Sequence, residues 1–386
     1  MANTKMFNEV ISFIRNDFNK PSEFIGLHEP LFVGNEKKYL CEAVDSTFVS
    51  SVGKFVDQFE ESIRNYTGAK YAVATANGTS ALHVALLLAG VKEGDLVITQ
   101  PLSFIATCNA IKYCNAEPLF IDIDRETLSL SPEKLRSFLK KQTKSSNGIL
   151  IHTPTGRRIS ACVPMHTFGF PAKIDALVAV CEEFRIPLVE DSAESLGTIY
   201  KNKHTGTFGL LGVYSFNGNK TITCGGGGVV VTDNENLAKL GKHLTTQAKK
   251  PHPWEFDHDH IGYNYRMPNI NAALGCAQLE MLEKFIESKR ALAERYRQFF
   301  INKDISFMTE GQNTRANYWL NVVLLKDRTA RDKFLEETNA AKVMTRPVWK
   351  LMNKLEMFKN APAEDLSDAT FIEDRLVNIP SSPRLT

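Results

Sequence analysis

From about Tyr71 the chain repeats one pattern: a short run of apolar residues, a turn, then a segment with apolar positions three and four apart. "YAVATA" reads as a buried strand and "GTSALHVALLLAG" as the helix after it, stopped at Gly90. "DLVITQ" and "SFIATCNAIKYC" repeat the pair, and "AEPLFIDI" is a third strand. "SPEKLRSFLKKQ" opens a helix with a serine cap and a proline at its first position. "ACVPMH", "KIDALVAVCEEF" and "IPLVEDSA" extend the series, and "VYSFNG" and "GGVVVT" are two more strands. Continuously apolar strands alternating with helices predict a largely parallel sheet covered on both faces.

The flanks differ. Residues 1–34 read as an arm, with "PSEFIGLHEPLF" broken by two prolines, and Asn35 to Tyr66 is helical in pattern. After Gln247 comes a polar, histidine-rich loop, then the long amphipathic stretch "NINAALGCAQLEMLEKFIESKRALAERYRQFF". "NYWLNVVLL" and "ARDKFLEETNAA" complete a small α+β unit. The expected division is an arm over 1–34, a large α/β domain over 35–250 and a small domain over 251–386.

Composition narrows the functional classes. A net charge of +2 across 386 residues gives no electrostatic footprint for nucleic acid or an anionic membrane. No apolar run approaches a membrane span, and the first residues lack a signal peptide's apolar stretch, so a cytoplasmic protein is expected. Seven cysteines, odd in number and with no CxxC pair, fit reduced thiols rather than a disulfide framework or structural zinc. His258 and His260 flank Asp259 in "HPWEFDHDHIGY", yet no helical or hairpin scaffold aims them, so a solvated loop and no metal site is expected.

In open α/β sheets ligands sit beyond the carboxyl ends of the strands. Past the first strand, Gly78 and Thr79 open a helix whose free N–H groups and positive dipole end favour a phosphate, although plain capping looks the same. Past "IPLVE" stands Asp191, an acid that is costly to bury without a cation. Past "VYSF" comes "SFNGNKTITCGGGG", with Lys220 four residues before the glycine run. A phosphate-binding P-loop fails there: Asn219 separates Gly218 from the lysine, and glycines follow rather than a helix. The glycines instead suggest close approach of backbone to a ligand.

One ligand needs a phosphate cradle, a buried carboxylate and an accessible amine together, and that ligand is pyridoxal phosphate. Lys220 would form the Schiff base, and Asp191 would keep the ring nitrogen protonated because an opposite charge favours the charged form. Phe104, just past "TQPLS", is a candidate to stack on the ring, although taken alone it reads better as core.

The ordered set "NGTSALH", "SFIATCNAI", "EDSAESLG", "SFNGNK…GGGG" and "GYNYRMPNINAALGCAQLE" resembles the DegT/DnrJ/StrS-type nucleotide-sugar aminotransferases, over most of the chain. The resemblance implies fold type I of the pyridoxal phosphate enzymes and the same roles for Lys220, Asp191 and Phe104. It implies phosphate contacts from Gly78, Thr79 and Ser215, and a homodimer in which Asn264 reaches the neighbouring phosphate. "GLHEPLFVGNE" and "EDSAESLG" look most like the legionaminic-acid type, which implies glutamate as amino donor and an N-acetylated 4-keto-6-deoxy sugar on UDP as acceptor. Glu194 departs from the family's glutamine or histidine near the cofactor's phenolic oxygen; an ionised carboxylate would be repelled there, so it must be protonated, turned away or paired. Some members carry histidine at the lysine position and act as dehydratases; Lys220 disfavours that branch. A lyase of the same fold and a non-catalytic regulator remain as alternatives. Candidates for sugar specificity are His166, Arg346 and the "HPWEFDHDH" loop, each with a structural role equally open.

Overall fold

The computed structural model describes residues 2–385. The alternating segment builds one sheet of seven strands: β1 (Tyr71–Thr75), β2 (Leu96–Thr99), β3 (Glu117–Phe120), β4 (Ile159–Val163), β5 (Val189–Asp191), β6 (Leu211–Ser215) and β7 (Gly228–Thr232). Pairing runs β3-β2-β4 in one ribbon and β1-β7-β6-β5 in the other. The ribbons meet through parallel bridges Cys162–Leu188 and Met165–Asp191. β2–β3, β2–β4 and β5–β6 are parallel, as the continuous apolar runs predict. β7 is the exception, antiparallel to both β1 and β6. Its reversal follows from the short connection: Lys220 and the glycines join β6 to β7 with no crossover helix, which a parallel pair would need.

Because β7 runs antiparallel to both its neighbours, β1 and β6 point the same way, and β6 is parallel to β5. The carboxyl ends of β1, β5 and β6 therefore share one edge with the start of β7. The helices follow the expected pattern. Ser131 Oγ accepts from Lys134 N–H at 3.3 Å, with Pro132 in the first turn. Asn77 caps the helix Gly78–Leu88 by accepting from Ser80 N–H at 2.8 Å.

Three segments differ from expectation. The first 34 residues are more than an arm: Ala2–Phe18 is a helix. Its buried Phe7, Val10 and Ile14, spaced three and four apart, pack with Leu292, Tyr296, Phe334 and Val377. The amphipathic spacing lies upstream of the prolines that gave the extended appearance. Asn35 to Tyr66 is two helices, Glu36–Asp45 and Lys54–Thr67, parted where "STFVSSVG" offers Ser, β-branched and Gly residues. The stretch after Gln142 forms a hairpin, Thr143–Ser146 against Ile149–His152, turned at Asn147 and Gly148 with φ of 51° and 76°.

The helix Asn269–Phe300, about 48 Å long at 1.5 Å per residue, joins the two halves of the molecule. Its first turns bury Ala272, Ala273 and Cys276 against Phe55 and Phe59, and its last bury Leu292, Tyr296 and Phe300 beside the amino-terminal helix. Beyond it a second, antiparallel sheet pairs Ser306–Phe307, Asn321–Leu324, Leu376–Ile379 and Arg346–Pro347 in that order. Among the described residues no helix is long and apolar enough to cross a membrane.

Candidate active site

At the shared strand edge lies a cavity of about 220 Å³ lined by Asn77, Gly78, Thr79, Phe104, Asp191, Glu194, Ser215 and Lys220, among others. Seven of the eight residues expected to serve the cofactor thus face one space. Asn264 does not; it is exposed and bridged to Thr246.

The glycine run has a different role from the one expected. Gly225 to Gly228 stay out of the cavity lining. A Cβ on Gly228 would stand 2.4 Å from Asn77 O and 2.8 Å from Gly78 N, and one on Gly78 would stand 2.8 Å from Ser215 Cβ. These glycines let β7 close against the β1 turn, which brings the start of the helix and Ser215 together as one cradle. The backbone approached is the protein's own.

Asp191 ends β5 almost wholly buried. Thr107 Oγ1 donates to its Oδ2 at 2.6 Å, and Ala193 N–H to its Oδ1 at 3.2 Å. Burial pushes its carboxyl above the usual range, with these two bonds and the charge of Lys220 pulling the other way. A cation placed in the cavity would supply what the site lacks, and it would in turn be held protonated.

Lys220 sits after a turn in which its N–H donates to Asn217 O at 3.0 Å. Trp319 braces that turn, Nε1–H donating to Asn219 O at 2.7 Å, and its ring centroid lies 4.1 Å from Lys220 Nζ. Nζ donates to Glu194 Oε1 at 3.2 Å, with the lysine side chain 12% exposed and the glutamate 1%. Glu194 Oε2 accepts Phe168 N–H at 2.8 Å. Burial raises the Glu194 carboxyl to about 7, against the pull of Lys220 and the Phe168 amide. Of the three options for this glutamate, the structure gives pairing, with protonation within reach near neutral pH.

Phe104 is 46% exposed, so core packing is not its role. It precedes the helix Ile105–Tyr113 in extended backbone, which sets the ring at the cavity instead of under the sheet. His166, by contrast, lies away from the cavity. Its Nδ1 accepts Ala172 N–H at 3.0 Å, so the proton is on Nε2, which donates to Glu190 at 3.0 Å. That is a structural hydrogen-bonding role.

The histidine-rich loop gathers differently from its sequence. His258 Nδ1 turns to Gln247 O at 2.8 Å, and Asp259 Oδ1 is shared by His243 at 2.6 Å and His260 at 2.9 Å. Those three donor atoms lie within 4.8 Å of one another on the surface, and the two imidazoles hold Asp259 well below the usual carboxylate range.

Thr107, Asn217, Phe168 and Trp319 escaped the sequence reading. Asn217 stands in the quoted motif and Thr107 one turn into a quoted helix; Trp319 comes from the bend before the strand Asn321–Leu324, about a hundred residues away, and no local pattern ties it to Lys220. An amine with an open face, a buried acid without a full complement of donors and a helix start beside a serine fit pyridoxal phosphate.

The model of the DegT/DnrJ/EryC1/StrS aminotransferase family matches residues 32–386. The chain is 36% identical over 369 residues to the GDP-perosamine synthase of Escherichia coli O157:H7, covering 94% of this chain and 95% of that one. It is 37% identical over 338 residues to EpsN of Bacillus subtilis, a candidate pyridoxal phosphate-dependent aminotransferase, covering 87% and 84%. Among solved structures, Helicobacter pylori PseC, an aminotransferase involved in pseudoaminic acid biosynthesis, superposes with a TM-score of 0.82 at 23% identity, covering 93% and 94%.

Proposed function

Because the chain belongs to the DegT/DnrJ/EryC1/StrS aminotransferase family, and is a pyridoxal phosphate-dependent aminotransferase of fold type I, we propose that it moves an amino group from glutamate to the 4-keto carbon of a 6-deoxy sugar carried on a nucleoside diphosphate. The observation that carries this is the gathering of Lys220, Asp191 and the Gly78 helix start around one cavity.

When bound, the cofactor supplies an aldehyde carbon that carries the amino group and a ring that accepts negative charge from the donor's α-carbon. Lys220 Nζ would hold that aldehyde and, once freed by the donor, would take the proton from the donor's α-carbon and pass it on to the aldehyde carbon. Glu194, hydrogen-bonded to Nζ and titrating near neutrality, holds the amine in position between the two halves of the cycle. Asp191, oriented by Thr107, would stabilise positive charge on the ring nitrogen. Gly78 and Thr79 offer helix N–H groups to the phosphate, with Ser215 beside them. Phe104 gives the ring a flat apolar face. Asn264, exposed and outside its own cavity, would serve the phosphate of a second copy in a homodimer.

The wording of "GLHEPLFVGNE" and "EDSAESLG" supports an N-acetylated sugar on UDP, used in nonulosonic-acid or surface-polysaccharide synthesis in the cytoplasm, while the perosamine synthases support a GDP carrier. ¹⁵N-glutamate incubated with UDP- and GDP-linked 4-keto-6-deoxy sugars decides the matter: label should appear at the sugar's C4. Loss of the sugar's hydroxyl without label transfer would establish a dehydratase instead.

A further inference from the structure

The helix Glu235–Thr245 is followed by a loop that leaves after Thr246 and returns at Asn264, the two bridged antiparallel; a second bridge joins Lys249 to His258. Its neck is tight. Gln247 and Ala248 take left-handed backbone, with φ of 64° and 52°, and a Cβ on Gly262 would stand 2.1 Å from Gln247 C. Beyond the neck Trp254, Phe256 and Ile261 are exposed, so apolar burial does little to fix the loop.

At the neck three donor atoms converge from two elements. His243 comes from the last turn of the helix, and Asp259 and His260 from the returning limb of the loop. Asp259 Oδ1 accepts from His243 Nε2 at 2.6 Å and from His260 Nδ1 at 2.9 Å, and all three atoms lie within 4.8 Å of one another. Two imidazole nitrogens and a carboxylate oxygen are a donor set for divalent ions of the zinc class. Bonds of about 2.0–2.1 Å at tetrahedral angles put neighbouring donor atoms about 3.4 Å apart, so the contacts to Asp259 would open by under ~1 Å to admit an ion. The three side chains are part exposed, which leaves a fourth position open to water. The sequence places His258 beside this pair, but in the structure His258 turns to Gln247 O and His243 stands in its place.

We propose that His243, Asp259 and His260 bind a divalent ion of the zinc class, completed by water, which staples the loop to the end of the preceding helix. None of the three lines the Lys220 cavity, so the ion is structural and fixes the limb that runs on to Asn264. The untagged protein loaded with pyridoxal phosphate, cleared of metal by a chelator, is titrated calorimetrically with Zn²⁺. One equivalent per chain should bind. His243→Ala and Asp259→Asn should each weaken it by about 100-fold or more, since losing even an outer partner of a metal ligand costs about 10- to 100-fold. His258→Ala should bind as the wild type does, and so should Cys41→Ser, which removes the exposed thiol. Zn²⁺ should slow proteolytic cutting of the loop between Lys249 and His258 in the wild type and not in His243→Ala. No stoichiometric binding, binding that survives either His243→Ala or Asp259→Asn, or binding lost in Cys41→Ser would overturn the site.

Discussion

Lys220 and Lys289 are both withdrawn from water, and both touch Trp319, yet they are buried for different ends. Lys289, on the long helix, is fully enclosed and donates to Trp319 O at 3.1 Å and Ser381 O at 2.5 Å. Burial pushes its ammonium well below the usual lysine range. It ties the long helix to the turn before the second sheet and to the chain's last segment, with no route outward. Lys220 lies over the ring of the same tryptophan, with one carboxylate partner and an open cavity. The carboxylates repeat the contrast along β5. Glu190 accepts Gly206, Phe208 and Gly209 N–H groups within 2.6 to 2.7 Å and is closed by His166. Its neighbour Asp191, on the opposite face of the strand, has two donors and looks into the cavity. A buried charge whose bonds are all made is structural; one left with capacity and space is available for chemistry.

The contrast breaks first at the lysines. Lys220→Ala should lower transamination by more than about 10⁴-fold, since anchor and base leave together, with the thermal midpoint little changed because the side chain borders a cavity. Lys289→Met should do the reverse. Two buried carbonyls lose their donor, at about 1–3 kcal/mol each, offset in part by no longer desolvating an amine. An unfolding free energy, from denaturant titration, lowered by about 2 kcal/mol, with activity per folded molecule within about twofold, is expected. A hundredfold loss of kcat at unchanged stability would place Lys289 in the chemistry.

Glu194 gives a smaller and pH-dependent effect. Its folded carboxyl titrates at about 7 against an ordinary value near 4.5, so between those values the native state holds a proton the unfolded chain has released. Stability of the cofactor-free protein should therefore fall as pH rises through that window, by on the order of 3 kcal/mol. Glu194→Gln should flatten the slope; an unchanged slope would assign it to other groups.

The parts legible in the sequence were those fixed by short-range pattern. Alternating apolar runs and helical spacing gave the sheet, and residues just past strand ends gave Lys220, Asp191 and Gly78. What stayed hidden depends on chain segments that meet only in three dimensions: Trp319 behind Lys220, and the helix within residues 1–34 that lies against the carboxy-terminal sheet. Phe104, the candidate to stack on the cofactor ring, reads better as core when taken alone because apolar character does not say which side of a strand end a ring will take. The glycine run marks a close backbone approach, and at Gly228 the backbone approached is that of Asn77 and Gly78, since a missing Cβ makes room for protein backbone as readily as for a ligand.

The central claim is covalent and can be read directly. The protein loaded with pyridoxal phosphate is reduced with borohydride, digested and mapped by mass spectrometry. The reduced pyridoxyl group should fall on Lys220 alone. Modification of a different lysine, or none at full cofactor occupancy, would contradict the account.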